Sequence, residues 1–68
     1  MSPENKQRLE KYREKYEILV RDQSLTLSIE ERADIISIIR TVDPGYSVME
    51  WCAYCVGEMV KYAFKLAN

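Results

Sequence analysis

Two thiols three positions apart, Cys52 and Cys55, are the residues of this chain whose type and spacing suit chemistry. A C-x-x-C pair can exchange with another disulfide and close on itself, or it can supply half of a tetrathiolate zinc site whose other half comes from a second copy of the chain. Little else is available. Histidine is absent, which removes the usual general base near neutral pH, the Ser-His and Cys-His nucleophile pairs, and every zinc site built on imidazole. The chain is therefore expected not to be an enzyme and to carry no cofactor. No metal is expected either, with Cys52 and Cys55 as the fallback ligands if one is bound.

Trp51-Cys52-Ala53-Tyr54-Cys55 resembles the Trp-Cys-x-x-Cys active-site motif of the thioredoxin-like redox proteins, over five of the 68 residues. In that family the first cysteine opens a helix after a buried strand, where free amides lower its pKa. Here Ser47 reads as the cap, which places Cys52 in the second helical turn; the central proline is missing and no strand precedes the motif. Both sulfurs then fall in the middle of an apolar arc, where they are expected to be small core residues.

Three helices are expected to position these groups, in an all-α bundle formed by one domain over residues 1–68. Ser2-Pro3-Glu4 supplies a cap, a preset φ and a negative charge for a first helix over 3–22. Its apolar seam is Leu9, Tyr12, Tyr16 and Leu19. Ser24–Ile29 alternates polar and apolar residues but has no partner strand, so it reads as an extended connector. Ser28-Ile29-Glu30-Glu31 fits a capping box for a second helix over 29–41. Asp43-Pro44-Gly45-Tyr46 reads as a tight turn, with a positive φ at the glycine, that brings a third helix back antiparallel to the second. Ser47-Val48-Met49-Glu50 fits another capping box, with Tyr46 and Trp51 spaced as a hydrophobic staple, so that helix is expected over 48–67.

The third helix is the informative one. Its polar strip is Glu50, Tyr54, Gly57, Glu58, Lys61 and Lys65, and the apolar arc that remains spans about 220°, more than one neighbour covers. A homodimer through this helix is the expected remedy, with Met49, Ala53, Val60 and Phe64 on the buried flank, Gly57 allowing close backbone approach, and Tyr54 as an exposed anchor. The bland alternative is that the connector and the tyrosines of the first helix cover that flank in a monomer.

Composition narrows the partners. A chain of 68 residues with ten Lys and Arg against eleven Asp and Glu has a net charge of −1, and neither a basic stripe nor a large catalytic cleft is expected. Arg8, Lys11 and Lys15 share a face, but Glu4, Glu10, Glu14 and Glu17 are spaced to neutralise them within the helix. Helices two and three offer an apolar and acidic leading end where a DNA-reading helix needs bases, so nucleic acid is not expected. The longest uncharged stretches are seven residues, too short to span a bilayer. With two cysteines and no basic-then-apolar leader in Met1–Lys6, a cytoplasmic setting is expected. The reading from sequence is a non-catalytic protein–protein interaction module (adaptor, inhibitor or accessory factor) that self-associates and binds another protein. The alternative is a thiol-dependent protein using Cys52 and Cys55 for zinc in a dimer or for redox exchange.

Overall fold

Ser2 opens the first helix as its residues dictate: its hydroxyl accepts the Asn5 amide at 3.3 Å, and Pro3 fills the first helical position. The computed structural model describes residues 1–68 and is all-α, with four helices rather than three: α1 (Pro3–Glu10), α2 (Arg13–Asp22), α3 (Ile29–Arg40) and α4 (Ala53–Ala67). No helix is long and apolar enough to cross a membrane.

The expected helix over 3–22 is broken at Lys11–Tyr12, although neither glycine nor proline stands there. Tyr12 leaves the helical basin (φ −101°, ψ 4°), and its amide bonds back to the Leu9 carbonyl, three residues away. Unbroken, a helix of this length would run about 30 Å, longer than the 28 Å longest dimension of the molecule. The bend lets Tyr12 face α3 while Tyr16 and Leu19 face α4. Tyr12 is anchored there by Asp34 of α3, whose Oδ2 accepts its hydroxyl at 2.6 Å, while Arg8 and Lys11 pair with the same carboxylate.

The helix expected over 29–41, α3, follows its capping box closely. Ser28 Oγ accepts the Glu31 amide at 3.1 Å and Glu31 Oε1 accepts the Ser28 amide at 2.9 Å. Its apolar face, Ile35, Ile36, Ile38 and Ile39, is buried throughout. The Asp43–Tyr46 turn closes through a 3.0 Å bond from the Tyr46 amide to the Asp43 carbonyl. Gly45 does not take a positive φ, so proline and the closing bond, rather than glycine's freedom, account for this turn.

The expected helix over 48–67 loses its first turn. Residues 46–49 stay extended, a tight turn at Glu50–Trp51 follows, and α4 begins at Ala53. Two arginines of α3 explain this: Arg40 Nε donates to the Tyr46 carbonyl at 2.9 Å and Arg32 Nη1 to the Glu50 carbonyl at 3.2 Å. Arg32 and Arg40 lie about 12 Å apart along the helix axis, and the four steps from Tyr46 to Glu50 cover about 13 Å when extended. The segment therefore runs back along α3 and delivers the start of α4 to the leading half of α3. Tyr62 of α4 then meets Asp43, just past the end of α3, at 3.1 Å. Helices α3 and α4 thus run in the same sense, not antiparallel as the turn suggested. The staple does not form either, because Tyr46 stacks on Tyr62 with centroids 5.3 Å apart.

Helix α4 is the hub, packing on α1, α2 and α3. Leu19 faces Gly57 and Tyr16 stacks on Phe64 with centroids 4.4 Å apart, so α2 crosses α4 in the opposite sense. The core is one cluster of Leu9, Tyr12, Leu19, the four α3 isoleucines, Val56, Met59, Val60, Ala63 and Phe64.

Candidate functional site

The start of α4 gathers what the fold leaves unsatisfied. Cys52 is its N-cap, with extended backbone (φ −100°, ψ 110°), and its sulfur accepts the Cys55 amide at 3.3 Å. This corrects the expectation that Cys52 lies in the second turn with its thiol in the core. With Ser47 held in the extended return segment, the capping role passes five residues on to Cys52, and neither sulfur belongs to the core cluster. Both thiols are free and partly exposed.

The two sulfurs are electrostatically unequal. Hydrogen bonds from the Cys55 side chain and from the amides of Cys55 and Tyr54 hold the Cys52 thiol below the usual thiol range. The same contact, with desolvation behind it, pushes the Cys55 thiol above that range. A helix start favours a thiolate because its free amides converge on the cap. The first turn of α4 carries no acidic residue to compete. No cluster of three or more Cys, His, Asp or Glu side chains forms anywhere in the chain, so Cys52 and Cys55 would need two further ligands from outside it to enclose zinc.

Around the thiols lies an exposed apolar rim. Trp51 is 84% exposed, Tyr54 75% and Met49 51%. Trp51 and Ala53 border a hollow of about 280 Å³ against Leu25, Leu27 and Arg32, while Ala53 and Tyr54 border a second of about 450 Å³ against Leu19, Leu25 and Gly57. Leu25 and Ala53 are common to both, so the hollows lie side by side along the groove between the 23–27 connector and the start of α4. Arg32 Nε is buried beside this groove without a hydrogen-bond partner.

The structure divides the six residues expected at an interface. Met49, Ala53 and Tyr54 are exposed, and Ala53 and Tyr54 border the groove. Val60 and Phe64 are 1% and 2% exposed within the single chain, and the Phe64 ring is covered by Tyr16 and Arg13 of α2, the latter at 4.8 Å. They are core residues, because breaking the first helix frees α2 to lie over them. Gly57 is buried as well, and its close neighbour is Leu19 rather than a second copy. Trp51, expected to pack on Tyr46 as a staple, is exposed because α4 starts only at Ala53. Arg8 and Lys11 are neutralised across the fold by Asp34 and Lys15 by Glu31, rather than by acids of the first helix, while Arg13 and Arg21 pair locally with Glu10 and Asp22. Compared with protein-family models, curated proteins and solved structures, the chain matches none of them.

Proposed function

We propose that this chain is a non-catalytic protein–protein interaction module that self-associates through the start of α4. The observation that carries this reading is the exposure of Trp51 and Tyr54 on either side of Ala53, bordering a groove floored by Leu19, Leu25 and Val56. Aromatic anchors and a receptive hollow on one face are self-complementary: a two-fold axis beside Ala53 seats the ring of each copy in the groove of the other.

Magnitudes set the expected strength. Burying two large aromatics on each of two chains contributes about 6–12 kcal/mol in total, against about 4–15 kcal/mol for lost freedom of motion on association. The dimer is therefore weak, with a dissociation constant no tighter than about micromolar. The interface is Met49, Trp51, Ala53 and Tyr54; Val60, Phe64 and Gly57 leave the earlier set because α2 already covers them.

Sedimentation equilibrium from micromolar to millimolar protein, under reducing conditions, tests the reading. The mass should rise toward twice 8.0 kDa, and the Trp51→Ala, Tyr54→Ala double variant should stay monomeric with an unchanged melting temperature. A wild-type chain that remains monomeric at millimolar concentration refutes self-association.

A further inference from the structure

The self-association reading makes no use of the thiols, yet their geometry is that of a reactive pair. Cys52 and Cys55 occupy the cap and the third residue of one helix, so the Cys52 sulfur lies over the Cys55 backbone, 3.3 Å from its amide nitrogen. Both are partly open to solvent. No side chain has to leave the core for one sulfur to approach the other.

We propose that Cys52 and Cys55 form a reversible dithiol–disulfide couple that exchanges with external disulfides, Cys52 attacking and Cys55 resolving. The Cys52 thiolate attacks one sulfur of the incoming disulfide, forming a mixed disulfide and releasing the other sulfur as a thiolate, which takes up a proton. Cys55 then gives up its proton, attacks the Cys52 sulfur and expels the second external thiol. The external disulfide gains two electrons and two protons, and the pair ends as a Cys52–Cys55 disulfide.

Three features support this order. The cap position brings the amides of Cys55 and Tyr54 onto Cys52, and thiolate character governs which sulfur attacks. Cys55 is held in the protonated form longer, as suits a resolving thiol that reacts second. Trp51, 84% exposed beside Cys52, leaves the approach to the attacking sulfur unroofed by core packing.

The test uses the reduced chain at low micromolar concentration with oxidised glutathione as the probe. Wild type should pass to an intramolecular disulfide, two hydrogens lighter by intact mass, and return to the dithiol on addition of excess reduced glutathione. Cys55→Ser should stop at a single glutathione adduct on Cys52. Cys52→Ser, in which serine can still cap α4, should react about tenfold slower or less. With limiting iodoacetamide at pH 7, Cys52 should be labelled about tenfold faster than Cys55. Equal labelling of the two thiols, or no adduct on Cys55→Ser under conditions that modify free cysteine, overturns the proposal. Because each readout is made on reduced, dilute protein, it is independent of whether the chain dimerises.

Discussion

The Tyr12 hydroxyl donates to Asp34 Oδ2 at 2.6 Å, tying the break between α1 and α2 to the middle of α3. The same carboxylate receives Arg8 and Lys11, so one side chain satisfies three donors from the bend. Replacing Asp34 with Asn should cost about 2 kcal/mol and Tyr12→Phe about 1 kcal/mol, read by urea denaturation. Loss in the aspartate variant alone would show that the carboxylate is held by its cations and not by the hydroxyl.

Asp34 also makes acid stability predictable. Burial alone would raise its carboxyl, but bonds from Tyr12, Arg8 and Lys11 outweigh it and hold the group below the usual aspartate value. A depressed folded-state value means that its contribution is complete above the ordinary aspartate range near about 4 and is lost as pH falls through the lower folded-state value. The difference in stability between wild type and Asp34→Asn should therefore be constant at neutral pH and shrink below that range. A difference that persists unchanged at strongly acid pH contradicts this account.

Gln23 ends α2 in the left-handed region, φ 54°, with its amide on the Leu19 carbonyl at 2.8 Å. Glycine adopts this conformation without the steric cost of a Cβ. Gln23→Gly should stabilise the fold by about 0.5–1 kcal/mol after the entropy cost of glycine in the unfolded chain. Thermal melting measures it.

A Cβ on Gly57 would stand 3.4 Å from Leu19 Cδ1, an ordinary contact. Gly57→Ala should therefore gain most of the helix-propensity difference, about 0.5–1 kcal/mol, whereas Gly57→Leu should lose about 1–3 kcal/mol by pushing α2 off α4. A destabilising alanine would mean that the α2–α4 contact is tighter than this spacing implies.

Cys52 caps α4 through sulfur, a weaker acceptor than oxygen. Cys52→Ser should match or exceed wild-type stability, while Cys52→Ala should cost about 0.5–1 kcal/mol. Equilibrium denaturation of the reduced proteins decides between them.

Where local chemistry decided the structure, the sequence was sufficient. The Ser2 cap, the Ser28–Glu31 box and the isoleucine face of α3 are short-range signals, and each formed where its residues indicated. The break at Tyr12 was illegible because no residue near it disfavours a helix; its cause is an aspartate 22 positions away. Ser47 carried a sound capping signature and failed because Arg40 and Arg32 hold the carbonyls on either side of it in an extended path. That failure also hid the site. Once α4 begins five residues later than its box implied, Cys52 moves from the interior to the cap and Trp51 from the expected staple to the surface. The cysteine spacing and the exposure of Tyr54 were legible from residue type and helical phase; which flank of α4 was already covered was not, since that depended on the bend.

Placing the hub after the three helices that pack on it has a consequence for biosynthesis. The apolar faces of α1, α2 and α3 have no common centre until α4 arrives, so a growing polypeptide ending before about residue 56 holds only marginal, frayed helices. Folding is then one late, all-or-none step, and a nascent chain stalled within α4 presents four isoleucines to the cell's chaperones and proteases.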